Sequence, residues 1–153
     1  MRYFPAVCGG LFCILLASCA IAPSPPTLAA LDGIWLIKRA EFAGQDLPVQ
    51  AGMELTMVGA KYRVASISNA AMPSDSGRVV LVANSPVNGA LALDVIGEDG
   101  PNQGKRFPAI YRFINGSNGR DLEMCYDLGE KDRPTAFVSR KDTLLLRVSY
   151  VKK

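Results

Sequence analysis

The chain is built from short runs of β-branched and aromatic residues that recur between turn signals, and this repetition constrains the fold more than any other feature. No segment shows the apolar periodicity of a long helix. Short alternating runs bounded by Gly, Pro, Asn and Asp are typical of antiparallel strands. The pattern predicts eight strands: Gly33–Ala40, Met53–Val58, Lys61–Ile67, Arg78–Ala83, Ala90–Ile96, Arg106–Phe113, Asp121–Tyr126 and Thr143–Val151.

The segments between these runs have the composition of turns and loops. Gly59-Ala60 is a link whose length and glycine suit a tight hairpin. Glu41–Pro48 is predicted as a turn region, Ser68–Gly77 as a polar loop and Asn84–Gly89 as the link between the fourth and fifth strands. Pro108 fits a strand only at an edge or a bulge, because it lacks the backbone N–H.

Alternation along the strands predicts which side chains face a core. Trp35 and Ile37 share one face of the first strand, and Tyr62 and Val64 alternate with charged residues in the third. The inner side of the sixth strand consists of Phe107, Ala109, Tyr111 and Phe113. Eight antiparallel strands connected in sequence predict an all-β, up-and-down barrel, since closure removes exposed edges. The inferred inner faces are rich in Phe, Tyr and Leu, which favours an interior filled by side chains over one that holds a ligand.

An apolar leader precedes the first strand. It has a basic start at Arg2, an apolar run from Val7 to Ala17 and small residues before Cys19, which is the pattern of a signal peptide. The run is shorter than the roughly 20 residues of a membrane-spanning helix. A secretory leader that is cut elsewhere and a transmembrane anchor are the alternatives.

Leu16-Ala17-Ser18-Cys19 resembles the lipobox of bacterial lipoproteins. The resemblance implies that the Cys19 thiol receives a diacylglycerol, that the leader is cut just before it and that the new amine is acylated, as with palmitate. Residues 1–18 are then a lipoprotein signal peptide, residues 19–30 a lipidated cysteine with a proline-rich tether, and residues 31–153 a single β-barrel domain. Two or three acyl chains hold a protein firmly at a membrane.

The residues after Cys19 indicate the membrane to which the lipoprotein is sorted. Ala20, Ile21 and Ala22 include no Asp at the second position, which resembles the sorting signal of lipoproteins at the periplasmic face of the outer membrane. The membrane, reached through the lipid anchor, is therefore one expected partner of this protein.

Only one cysteine stays available in the mature chain, since Cys8 and Cys13 leave with the leader and Cys19 is lipidated. No intramolecular disulfide is then possible. Cys125 lies in a predicted strand, away from the cations or helix ends that activate a thiol. We expect a buried, unreactive side chain there.

The sequence contains no histidine, which excludes Ser-His-Asp and Cys-His catalysis and removes the commonest zinc ligand. The acid pairs Glu98 with Asp99 and Glu130 with Asp132 are predicted as solvated turn residues, not as carboxyls placed across a cleft. Asp94, Glu98 and Asp99 also lack the spacing of a calcium loop. The expected protein is not an enzyme and uses no cofactor or metal.

The charge is close to balanced. With Arg2 removed from the 17 Lys and Arg residues, 16 basic residues stand against 14 acidic ones. The basic residues are scattered along the chain, which argues against a nucleic-acid partner. We expect the protein to be a monomer.

One motif superficially resembles a phosphate-binding loop. Gly100–Lys105 is one residue too short for it, and no Ser or Thr follows the lysine. The segment is predicted as a turn with Pro101 at its second position.

Several short motifs along the mature chain resemble those of one known family. They are Leu31-Asp32-Gly33-Ile34-Trp35, Gly44-Gln45-Asp46-Leu47-Pro48, Asp99–Lys105, Ala109-Ile110-Tyr111, Leu122–Cys125 and Arg133–Phe137. The family consists of uncharacterised small secreted domains that are expanded in planctomycetes. The resemblance implies a lipocalin-like β-barrel and brings no established catalytic residues. The Gly-x-Trp motif is also similar to that of true lipocalins, which implies that Trp35 closes one end of the barrel.

Two functions remain open at this point. The first is a protein-binding lipoprotein, such as an inhibitor or immunity protein against a secreted toxin or an envelope-attacking enzyme. It is favoured by a small rigid domain whose loops carry Arg, Asp and Asn. The alternative is a lipocalin-like carrier of a small apolar ligand, which requires a hollow apolar interior.

Overall fold

The computed structural model describes residues 27–49, 52–116 and 119–153. These contain nine strands: β1 (Gly33–Phe42), β2 (Gln45–Leu47), β3 (Met53–Val58), β4 (Lys61–Ser66), β5 (Asp75–Val82), β6 (Leu91–Asp99), β7 (Arg106–Gly116), β8 (Gly119–Asp127) and β9 (Leu145–Lys152). A single 3₁₀ turn, Leu28–Leu31, precedes β1. Within the described ranges, no helix has the length and apolar character needed to cross a bilayer.

The strands form a closed, antiparallel, eight-stranded barrel. The order is β1-β3-β4-β5-β6-β7-β8-β9, and β9 returns to pair with β1 from Trp35 opposite Lys152 to Phe42 opposite Leu146. Each strand lies beside its neighbour in sequence, apart from β2, so the predicted up-and-down topology is confirmed. The structure is consistent with a lipocalin-like barrel.

The ninth strand was not predicted and lies where the sequence indicates a turn region, Glu41–Pro48. β1 continues to Phe42, and β2 pairs with its last residues through Ala40 opposite Leu47. Ala43 and Gly44 connect them with φ angles of 50° and 77°, the left-handed pair of a type I′ hairpin turn. β3 pairs with β1 only along Gly33–Leu36. β2 therefore covers the edge that the end of β1 would otherwise expose.

A second difference concerns the predicted polar loop Ser68–Gly77. Its last three residues, Asp75–Gly77, begin β5 and pair with β4, as Gly77 does with Tyr62. These three residues are polar or glycine, so the local sequence does not predict a strand. The strand forms because they pair with β4. The hairpin at Gly59-Ala60 is confirmed. Pro108 also lies where predicted, because β8 pairing with β7 begins only at Ala109.

One end of the barrel is filled by large side chains around Trp35, which is 1% exposed. The indole Nε1–H donates a hydrogen bond of 2.8 Å to the carbonyl of Leu31, and the Trp35 ring lies 6.1 Å from that of Phe113. The Nζ of Lys152 stands 5.3 Å from the centre of the indole. The 3₁₀ turn therefore caps this end, and the predicted core position of Trp35 is confirmed.

Most of the long connection between β8 and β9 crosses the outer face of the barrel, and we call residues 129–144 the outer strap. Phe137 of the strap packs against Ile110 and Cys125, whose strand neighbours point into the barrel. Arg133 donates hydrogen bonds to the carbonyls of Leu93 and Ala109, of 2.6 and 2.7 Å. The strap thus creates a second, smaller core outside the sheet.

Cys125 lies beneath the outer strap as a free, fully buried thiol. Its Sγ is 3.7 Å from the carbonyl of Val138, and burial raises the pKa of the thiol to about 11. The predicted burial of this side chain is confirmed, and a thiol with this pKa is little ionised at neutral pH.

Charged side chains are paired under and beside the strap. Glu123 is 1% exposed and receives Arg112 on one side and Arg147 on the other, each with an N–O distance of 2.6 Å. The Arg112 guanidinium also lies 4.2 Å above the Phe137 ring. Buried charge here is compensated by ion pairs, as a buried carboxylate requires.

Replacing Trp35 with alanine should lower the free energy of unfolding by about 3–5 kcal/mol, because a buried ring is removed from the filled end. Urea unfolding followed by far-ultraviolet circular dichroism measures the loss without needing the single tryptophan. Val58→Ala, at a side chain that is 69% exposed, is the control and should change stability by less than about 0.5 kcal/mol. Equal losses in the two variants would contradict the assigned core.

Replacing Arg133 with alanine should release the outer strap and expose Cys125, because three hydrogen bonds to the sheet are lost. We expect a loss of about 2–4 kcal/mol of stability and faster labelling of Cys125 by a thiol reagent, with Cys8, Cys13 and Cys19 changed to serine. Arg140→Ala, an exposed residue of the same strap, is the matched control. Unchanged labelling in the Arg133 variant would show that Arg133 does not hold the strap.

Candidate functional site

The barrel contains a cavity of about 230 Å³ at the end away from Trp35. All eight barrel strands contribute to its lining of 16 residues, of which 11 are apolar. Apolar side chains from opposite sides of the barrel include Leu55, Val79, Phe107, Met124 and Val148. The prediction of a filled interior is therefore correct for the Trp35 end and wrong for the other end.

The shape of the cavity follows from where the large side chains lie. Trp35, Tyr111 and Leu122 fill one half of the interior and do not line the cavity. Smaller or flexible side chains, such as Val79, Val148 and Met124, surround the other half. Eight strands leave just enough room for this difference in side-chain volume to decide between a packed and a hollow interior.

Three polar side chains gather at the loop end of the cavity, and we call Tyr62, Asp75 and Asn102 the mouth group. The Tyr62 hydroxyl donates to Asp75 Oδ2 at 3.0 Å, and the backbone N–H of Asn102 donates to Asp75 Oδ1 at 3.1 Å. Asp75 and Asn102 are half-buried. One carboxylate thus joins β4, β5 and the β6–β7 loop beside the cavity.

The β6–β7 loop, residues 100–105, is held close to the sheet by glycines. A side chain at Gly97 would collide with the carbonyl of Asn102, and one at Gly100, where φ is 90°, would collide with Ser74. The loop begins with a turn in which the Gln103 N–H donates to the Gly100 carbonyl, so Pro101 occupies the second position as predicted. These close approaches fix Asn102 in the cavity wall.

Two tyrosines supply hydroxyl groups deeper in the cavity. Tyr126 Oη and Tyr150 Oη are 2.9 Å apart, and the Tyr126 hydroxyl also donates to Met124 Sδ at 2.9 Å. Burial raises the pKa of Tyr150 to about 12 and that of Tyr126 well above its ordinary value of 10. Both phenols are therefore neutral hydrogen-bonding groups at physiological pH.

The carboxylates singled out in the sequence do not meet at this cavity. Asp94 binds Arg106 and Arg133, on the outer face. Glu98 and Asp99 are exposed, as predicted, but they end β6 instead of lying in a turn. Glu98 is not simply solvated, since it pairs with Lys61 at 2.6 Å and Arg78 at 3.1 Å.

The second predicted acid pair lies on the outer strap. Glu130 and Asp132 are exposed, as expected for turn residues. The Glu130 carboxylate accepts the backbone N–H of Arg106 at 3.2 Å and so helps to attach the strap. Neither pair is arranged across the cavity.

Cys19, the predicted lipidation site, lies outside the described residues, as do the signal peptide and most of the tether. The lipid anchor therefore stays a prediction. The described chain enters the barrel at Thr27, next to the filled end.

The sequence pattern does not indicate that the three residues of the mouth group lie together. The sequence pattern predicts an inner-face position for Tyr62, a polar loop around Asp75 and a turn around Asn102. The signal that was available is the repeated occurrence of small or glycine residues around Asp75 and Asn102, where backbones approach closely.

Comparison of the chain with known protein families, with characterised proteins and with solved structures finds no match. The resemblance to planctomycete lipocalin-like domains accordingly stays a prediction that depends on the motifs alone.

The buried tyrosines predict a loss of stability at alkaline pH. The pKa of Tyr150 is raised to about 12 when folded, against 10 when unfolded, so the unfolded chain releases its proton first. This contribution is complete below pH 10 and is lost between pH 10 and about 12. Tyr150→Phe should reduce the stability lost between pH 8 and pH 11.5 by on the order of 2 kcal/mol.

Urea unfolding at the two pH values, followed by circular dichroism, measures this difference. Val58→Ala, which changes no titrating group, should keep the pH dependence of the original protein. An equal loss in the original protein and in Tyr150→Phe would show that this phenol does not contribute.

Proposed function

We propose that this protein binds a small, mainly apolar ligand inside the barrel. The observation that supports the proposal most directly is the cavity of about 230 Å³, with 11 apolar residues among the 16 that line it. Binding sites for small molecules are concave and mostly apolar, with a few polar groups that orient the ligand. The cavity and its mouth group have this composition. The lack of catalytic activity stays a prediction from the missing histidine.

The volume limits the size of the ligand. A cavity of about 150 Å³ engineered in another protein binds benzene, which has six heavy atoms. By proportion, a cavity of about 230 Å³ accommodates roughly eight or nine heavy atoms. A medium-length alkyl chain or a substituted single ring fits this space, whereas a long-chain lipid would have to extend beyond the mouth.

The competing function, recognition of a protein such as a toxin or an envelope enzyme, stays a prediction. Its motivation was the Arg and Asp residues expected at an interface rim. In the structure, Arg133 and Asp94 bind each other, and Glu123 is covered by arginines, so these charges stabilise the fold instead. The ligand hypothesis is the better supported of the two.

Anchoring at Cys19 would orient the cavity. Thr27 lies eight positions after Cys19, and a fully extended chain of that length spans at most about 30 Å. Thr27 adjoins the filled end, and the mouth group lies at the other. We therefore propose that a lipidated protein at the periplasmic face of the outer membrane holds its mouth away from the anchoring bilayer.

A series of 1-alkanols from butanol to dodecanol tests the proposed function by isothermal titration calorimetry. We expect the affinity to rise by up to about 0.8 kcal/mol per methylene and to level off near eight carbons, when the cavity is full. Val64→Phe places a ring at the cavity wall and should weaken octanol binding at least about tenfold. Val80→Phe, on the outer face of β5, is the matched control and should bind normally.

Circular dichroism confirms that both variants are folded before they are compared. Absence of binding for the whole series would overturn the proposal. Equal affinities in Val64→Phe and Val80→Phe would also overturn it, because binding would then not involve the cavity.

A further inference from the structure

We infer that the cavity selects ligands whose polar end is neutral or positively charged, such as alcohols and amines, and discriminates against carboxylates. The inference rests on the proposed function and adds the chemical class of the ligand. It depends on the charges and free hydrogen-bonding positions that the lining residues offer.

Asp75 places a carboxylate beside the cavity with acceptor positions to spare. An ionised carboxylate accepts up to about four hydrogen bonds. Asp75 accepts one from the Tyr62 hydroxyl and one from the backbone N–H of Asn102. The unused lone pairs of the Asp75 carboxylate can accept hydrogen bonds from a ligand ammonium or hydroxyl group.

Among the residues that the structure describes, no lysine or arginine lines the cavity. Lys61 and Arg78, on the same two strands as Tyr62 and Asp75, both pair with Glu98 on the exposed surface. Burial and the charges of Asp75 and Glu98 raise the pKa of Tyr62 well above 10. A ligand carboxylate beside Asp75 would be disfavoured by the same burial and the same negative charges that disfavour an ionised Tyr62.

The inner hydroxyls also present acceptors. The Tyr126 hydroxyl lies 2.9 Å from both Met124 Sδ and Tyr150 Oη, and either tyrosine can be the donor in the contact between the two hydroxyls. Their remaining lone pairs would repel a carboxylate oxygen. Asn102 is among the described lining residues, and its side-chain amide can donate to a neutral ligand as well as to a carboxylate.

The test compares three ligands with the same chain length: 1-octanol, octylammonium and octanoate, at pH 7 and low ionic strength. We expect octanol and octylammonium to bind and octanoate to bind at least about tenfold more weakly than either. Asp75→Asn should reduce the ratio of octylammonium affinity to octanoate affinity by about tenfold.

Asp75→Asn preserves the structure of the mouth group, because asparagine Oδ1 still accepts from Asn102 and Nδ2 donates to the Tyr62 hydroxyl. Asp99→Asn is the matched control: it removes an exposed charge at the end of β6 that does not line the cavity. The control should retain the original order of affinities.

The outcomes separate the two proposals. Equal affinity for all three ligands, or the same change in Asp75→Asn and Asp99→Asn, would overturn the charge selectivity and leave the apolar site intact. Failure of all three to bind would overturn the proposed function itself.

Discussion

The pairing of β9 with β1 is the constraint on which the rest of the structure depends. It closes the sheet, so the barrel strands have partners on both sides and the side chains on the inner face are enclosed by the sheet. Closure also fixes how much interior volume the side chains must fill. β2 is a local consequence, because the end of β1 extends past β3 and would otherwise present an unpaired edge.

Within that closed sheet, side-chain volume is distributed unevenly between the two ends. The indole of Trp35, fixed by its hydrogen bond to Leu31, occupies one half with Tyr111 and Phe113. Valines and a flexible methionine surround the other half and leave a space that has polar groups only on part of its wall. Large side chains therefore pack at one end, and the opposite end is hollow. Such a barrel is compatible with a binding protein.

The outer strap explains why several polar residues do not belong to a site. Arg133 reaches the sheet through a carboxylate and two backbone carbonyls, and it brings Phe137 over Cys125 and Ile110. Charges that look available for recognition in the sequence are thereby used to cover the outer face. Among the described residues that line the cavity, in contrast, Asp75 carries a carboxylate whose neighbours use only part of its hydrogen-bonding capacity.

The sequence by itself determined the barrel, its strand order and the burial of Trp35 and Cys125, since alternation and turn residues are local signals. Tertiary structure alone decided that β5 begins at Asp75, that residues 129–144 cover the outer face and that half the interior is hollow. Asp75 and Asn102 are 27 residues apart, and their contact exists only once β4, β5 and β6 have paired. Cavity volume likewise depends on which side chains meet across the closed barrel, and local periodicity contains no information about partners on the opposite wall.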